Sequence, residues 1–176
     1  MTEAVKKNGL NFGIILGIIG IVITALIYSL DITMFVNMWL GICLFLINLV
    51  IGIVAVVKTK KALGGLITFK DAFTTYFITM ALGALINTLF MFILFNFIDP
   101  SAKEIITEKS VETTAKMMQG FGAKTEDIKL TLEQIKKTDN WSALNLLKSY
   151  AFGLIFYIII GLIVAVAFKN KTKDVE

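Results

Sequence analysis

Four uncharged runs set the limits on what this chain can become. Gly9–Leu30, Ile32–Val57, Ala72–Ile98 and Ser149–Phe168 hold no charged residue over 22, 26, 27 and 20 positions. Wound as helices at about 1.5 Å per residue, each is long enough for a hydrocarbon core of about 30 Å. Only 17% of the 176 residues are charged, against 57% hydrophobic. A soluble domain carries about 25% charged residues, so too little polar surface exists to cover a water-soluble globule. The expected fold is an all-α integral membrane protein. Its four transmembrane helices fall at 9–30, 34–57, 72–98 and 147–168 and form two antiparallel hairpins. A partly helical extracytoplasmic loop at 99–146 separates helices three and four, and the chain 1–176 is a single membrane domain.

The first run could be taken for a secretory signal, since Lys6 and Lys7 precede it. It is longer than a usual signal core, and no small-residue cleavage pattern closes it at Tyr28–Asp31. It therefore reads as an uncleaved first span.

Several function classes fall away on composition. The chain has no histidine and a single cysteine, Cys43. Disulfides within the chain, Cys/His metal clusters and histidine-based triads are thereby excluded. Every basic residue is a lysine. Without arginine's planar fork, bidentate phosphate recognition has no tool, and no nucleic-acid partner is expected. No cofactor is implied.

Within the spans, small and polar residues recur on helical faces. Gly9, Gly13 and Gly17 follow one another every four residues, with Gly20 next. Such a stripe lets another backbone approach closely. It serves either as a dimerisation face or as packing against another span, and three other spans are at hand. Gly41, Asn48 and Gly52 share a face of the second run, while Thr75, Thr79, Gly83 and Asn87 line one face of the third. An asparagine at bilayer depth is costly unless paired. Asn48 should therefore point inward, with the polar stripe of the third span as its partner. The sharper alternative is a polar path lined by Asn48, Thr79 and Asn87.

Between the second and third runs lies Lys58–Phe73. Lys58, Lys60 and Lys61 end the second span, and Gly64–Gly65 break the helix. Thr68 with Asp71 three residues on has the form of a capping box opening the third span. Asp71 is placed there by the preference of helix starts for negative charge, not by chemistry. At the far end, Asp99–Pro100 stops the third span and suits a new helix start, Asp99 as N-cap and Pro100 at the first position.

The segment Ser101–Asp139 is the only sizeable polar stretch. Gly120–Phe121–Gly122 divide it into two helical halves, with Glu112/Lys116 and Glu133/Lys137 at the favourable i, i+4 spacing. It is too small for a core of its own, so its apolar stripe rests on lipid, on the spans or on a partner. Glu104, Glu108 and Glu112 read as a solvated face rather than a cation site. Trp141 is an expected interfacial anchor.

Lysines in short flanks mark the cytoplasmic side. Lys6/Lys7, Lys58/Lys60/Lys61/Lys70 and Lys169/Lys171/Lys173 share one side if there are four crossings. Both termini are then expected on the cytoplasmic side of the membrane, and the protein is expected to be multi-pass.

One local string carries a family resemblance. Gly65–Leu66–Ile67–Thr68–Phe69–Lys70–Asp71–Ala72–Phe73, with Lys7–Asn8–Gly9 ahead and Asp99–Pro100 after, resembles domain-of-unknown-function family 4199. The resemblance implies an uncharacterised four-span bacterial membrane protein and brings no active site with it. The leading functional expectation is a structural, interaction or accessory subunit. A small transporter or channel component is the alternative, and an enzyme ranks last. Expected partners are the bilayer and either a second copy or a membrane or periplasmic protein.

Overall fold

The computed structural model describes residues 2–170, so Lys171 and Lys173 lie outside the described residues. Six α-helices and no strand occur among them: α1 (Glu3–Leu30), α2 (Met38–Ala62), α3 (Phe69–Ile93), α4 (Ala102–Gly120), α5 (Thr125–Lys137) and α6 (Ala143–Phe168). Helices α1, α2, α3 with its extension to Ile98, and α6 are long and apolar enough to cross a membrane.

Helix ends depart from the charge boundaries for identifiable reasons. Helix α1 begins at Glu3 rather than near Gly9, and α2 continues through Lys58, Lys60 and Lys61 to Ala62. Long ammonium side chains reach the headgroup layer while their helix continues. At the other border, Ile32–Val36 wind into a 3-10 turn, so α2 starts at Met38 rather than near residue 34. Asp31 opens that turn by accepting from Thr33 N at 2.9 Å, and Asn37 caps α2 by accepting from Leu40 N at 3.1 Å. Ser142 caps α6, which therefore starts at Ala143 instead of near 147.

Past Ile93 the third span widens into a π-helical turn, Leu94–Ile98, closed by Asp99 N donating to Leu94 O at 2.8 Å. The extra residue per turn re-aims the side chains. Phe95 becomes fully buried while Phe97 stays 71% exposed.

Helix α3 is the centre of the bundle, packing against α1, α2 and α6. Its tightest interface is with α1. A methyl group on Gly9, Gly13 or Gly17 would meet Ile78, Leu82 or Ile86 at 3.0, 2.9 and 2.7 Å. Both partners advance by four residues together, so α1 and α3 run parallel. The main packing unit is this parallel pair, not the sequence-adjacent hairpin. The glycine stripe is occupied within the chain, by α3. On other faces of α3, Tyr76 presses on Gly52 of α2 and Gly161 of α6.

Two cores result. One surrounds Val56, Tyr76, Met80 and Ala165, each no more than 1% exposed. It lies toward the end where the described lysine clusters gather, the lysine end. There Lys60 Nζ donates to Phe168 O at 3.1 Å, and Ile67 exchanges backbone and side-chain bonds with Asn170. Gly64 and Gly65, at φ +76° and +88°, close α2 through bonds to Lys61 O and Lys60 O. That left-handed pair is open to glycine at little cost.

The second core sits at the opposite, loop end and joins Leu94, Phe95, Ala102 and Ile106 with Phe35 and Trp141. Helix α4 lies against the 3-10 turn, and α5 packs on α4. Trp141 is half-buried with its ring 4.1 Å from that of Phe95. The ring is held by aromatic neighbours, Phe95 and Phe35.

Candidate functional site

Between the two cores the four spans do not close. A crevice of about 270 Å3 opens there, reached by side chains from α1, α2, α3 and α6. Its walls carry Thr24, Asn48, Asn87, Thr88, Ser149 and Tyr150. The gap has a local cause. Gly153 contributes no side chain to fill it, and a methyl group there would meet only Tyr157, at 3.9 Å.

Each polar group is set by its helix. Asn87 lies across Gly20, whose Cβ position is 3.2 Å from Asn87 Cγ. One turn beyond Gly20, Thr24 Oγ1 donates to Asn87 Oδ1 at 3.2 Å. The Asn87 amide nitrogen has only the thioether of Met91, at 3.9 Å, a weak acceptor. Tyr150 reaches over from α6 to donate to Ala81 O at 3.1 Å. Asn87 stands twelve residues before Asp99, about 18 Å along the helix, so the crevice reaches well into the membrane-spanning part. Toward the lysine end its lining stops at Leu16, Asn48, Gly83 and Tyr157.

Thr79 stands apart, which corrects the polar path expected near Asn48, Thr79 and Asn87. It is fully buried between α1 and α3, its hydroxyl directed at Thr75 O (2.9 Å) and Gly9 O (3.4 Å). Gly52 is likewise sealed, under Tyr76. Asn48 and Asn87 are brought to one crevice; Thr79 is closed off from it.

A family model described as "Protein of unknown function (DUF4199)" matches residues 11–170. The chain belongs to that family. No curated protein and no solved structure matches it.

The remaining polar residues of this DUF4199 member hold helix ends together. Thr68 Oγ1 accepts from Asp71 N at 3.1 Å and donates to Asp71 Oδ2 at 2.8 Å. The carboxylate thus takes the cap's hydroxyl instead of its backbone amide, a variation on the expected box. Asp99 Oδ1 accepts from Ser101 N and Ala102 N at 3.1 and 3.2 Å. Helix α4 nevertheless starts at Ala102 with Ser101 at the N-cap position, so Pro100 lies in the turn before the helix and not at its first position as expected. The other Asp99 oxygen accepts from Tyr28 at 2.9 Å, joining α1 to the start of α4. The Ser101 hydroxyl and then the Tyr28 phenol hold the Asp99 carboxyl below its usual range. Thr33 does the same for Asp31.

At the loop end, Lys103 Nζ bridges Asn96 Oδ1 (2.8 Å) and Asp139 Oδ2 (3.1 Å). On the outer face of α4, Glu112 is gripped by Lys109 and Lys116, which bring its carboxyl down to about 2. Among the described residues no three Asp, Glu or Cys side chains converge in a metal-holding arrangement.

Sequence reasoning passed over Thr24, Thr88, Ser149 and Tyr150. Thr24 had a readable signal, one turn beyond Gly20 on the glycine-bearing helix. Ser149 and Tyr150 follow Lys148 directly, and that neighbour gave them the look of a headgroup border.

Proposed function

We propose that this protein is a non-catalytic accessory subunit of the bacterial cytoplasmic membrane. Both termini face the cytoplasm, and the loop-end helices meet a protein partner on the other side. The observation that carries this reading is the contrast between α4 and α5. Helix α4 is fixed to the span ends through Ala102, Ile106 and the Lys103 bridge. Helix α5 packs chiefly on α4, and Phe121 and Leu130 stay 85% and 60% exposed. A rigidly mounted arm with open apolar side chains suits docking better than solvation. The non-catalytic part is supported by Asp31, Asp71 and Asp99, whose carboxylates already serve turns and caps.

Affinity purification from native membranes tests it. Phe121→Ser with Leu130→Ser should remove a co-purifying partner that Phe97→Ser, on the exposed end of α3, retains. A partner set indifferent to all three changes sinks the reading. Orientation is tested in a Cys43→Ser background carrying Gly65→Cys. Labelling only after permeabilisation is expected, and labelling from outside intact cells reverses the topology.

A second reading, a small transporter component, draws on Asn48 and Asn87 meeting in one crevice. Its test is liposome flux. Asn48→Leu and Asn87→Leu should abolish any solute passage that depends on the crevice, and unchanged flux removes these residues from that role.

A further inference from the structure

The crevice has a chemistry that docking at the loop end does not use. We infer that it binds the head of a neutral amphiphile whose hydroxyl or carbonyl groups meet Asn48 and Asn87 while its hydrocarbon tail stays in the bilayer.

Charge sets the first limit on the ligand. No Asp, Glu or Lys lines the crevice. A phosphate or ammonium head drawn to this depth would lack a counter-charge, which is costly away from water. Hydrogen bonding sets the second. The Asn87 amide nitrogen is paired only with the Met91 thioether. Every fully buried side-chain nitrogen and oxygen among the described residues has a partner. Asn48 is half-buried on the crevice wall. These amides offer donors to a hydroxyl or carbonyl oxygen, and Asn oxygens and the Tyr150 phenol oxygen accept in return.

Size sets the third limit. The crevice, at about 270 Å3, falls below the ~300–1,000 Å3 of pockets that enclose a whole drug-sized ligand. It is also too small for a partner helix of about 10–12 Å diameter. A head group fits, with the rest of the molecule outside. The same helices supply the tail's environment: Leu46 and Val50 on α2 and Phe152 and Phe156 on α6 are exposed hydrocarbon. Apolar Leu44, Met91 and Leu146 among the polar walls favour an amphiphile over water alone.

Two sources share this chemistry, a glycerol-based diacyl lipid without phosphate and a long-chain prenol. The test uses the purified full chain in nanodiscs, with no partner present, so its outcome is separate from that of the accessory-subunit reading. Three probes each carry a diazirine next to the head: a diacylglycerol, a prenol and the anionic phosphatidylglycerol. One or both neutral probes should label peptides around Asn48 and Ser149–Gly153, with untagged neutral competitor removing the label. Whichever neutral probe labels identifies the source.

Asn48→Leu and Asn87→Leu should each weaken labelling by about five-fold, the loss of one hydrogen bond. Gly153→Leu should abolish it by filling the space, since a Cβ there meets only Tyr157 at 3.9 Å. Gly41→Leu, outside the crevice, should label as the parent does. Should Gly153→Leu lower the melting temperature, Ser149→Leu fills the crevice from the preceding turn and is read in its place. Equal labelling by the anionic probe, labelling that survives the filling variant, or none by either neutral probe overturns the inference.

Discussion

Leu16 of α1 rests directly on Gly83 of α3: a methyl group built on that glycine would stand 2.6 Å from Leu16 Cδ2. The reverse contact lies one step along, where Gly17 of α1 receives Ile86 of α3. Each helix thus supplies a projecting aliphatic side chain and a bare glycine to receive the other's. Lipid tails are as apolar as leucine, so close packing rather than hydrophobic exclusion holds spans together. Shape at these glycines is therefore where the bundle's stability is concentrated.

A methyl group at Gly17 makes that testable. Its Cβ would sit 2.7 Å from Ile86 Cβ, an atom that cannot swing aside. Gly17→Ala should cost ~1–3 kcal/mol, the range for overpacking a filled interface. Gly41→Ala meets nothing within 4 Å and should be neutral or gain up to about 1 kcal/mol of helix propensity. Thermal unfolding in detergent separates the two. Identical melting temperatures would mean that α1 and α3 do not pack through this glycine.

Asp99 should make the loop end acid-sensitive. Its folded-state pKa is lowered, by Ser101 first and Tyr28 next. A depressed carboxyl stabilises the fold fully above its unfolded value, about 3.9, and loses that contribution as pH falls through the folded value. The melting-temperature gap between the parent and Asp99→Asn should be widest near neutrality and shrink below about pH 4. Tyr28→Phe, which removes one of the bonds, should narrow the gap without closing it. A gap constant from pH 7 to pH 3 would show that Asp99 keeps no such bonds.

The four spans could be read from charge alone because hydrocarbon tolerates so few exceptions. Glycine spacing told which faces pack closely. It did not tell against which helix, since Gly13 meets Leu82 only through the parallel placement of α1 beside α3. The polar stripe of α3 was visible, yet its members part company. Thr79 is covered by α1, whereas Asn87, two turns on, reaches the crevice. That difference depends on where neighbouring helices diverge, a tertiary property with no local sequence mark. The π-helical turn at Leu94–Ile98 was hidden for a related reason. Asp99–Pro100 announces that the helix must end, but not that an extra residue is accommodated first.

At the lysine end, the cap of α3 yields a local prediction. Thr68 accepts the Asp71 amide, and loss of an N-cap side chain costs about 1 kcal/mol. Thr68→Ala should speed hydrogen exchange at the Asp71 amide about five-fold, while Thr68→Ser should stay close to the parent. Beyond the cap, Phe69, Phe73 and Phe77 stack one turn apart along α3, at 6.4 and 5.9 Å between rings, and Phe73 reaches Gly161 of α6. Phe73→Ala should therefore destabilise more than Phe69→Ala, whose ring is 38% exposed. The opposite order would show that α6 does not lean on this ladder.

The two tryptophans report on opposite environments at the same end of the molecule. Trp39, near the start of α2, is 73% exposed. Trp141 is enclosed by Phe95 and Phe35, at 4.1 and 6.5 Å between ring centres, and its carbonyl accepts from the Asn96 amide. In nanodiscs with brominated acyl chains, Trp141→Phe leaves Trp39 as the reporter, and its emission should be strongly quenched. Trp39→Phe leaves Trp141, whose emission should be quenched weakly. Full burial and truncation of a large aromatic costs ~3–5 kcal/mol. With Trp141 only half-buried, Trp141→Ala should cost about 2 kcal/mol and loosen α4 from the spans. Equal quenching of the two tryptophans would show that Trp141 does not pack against the loop-end core.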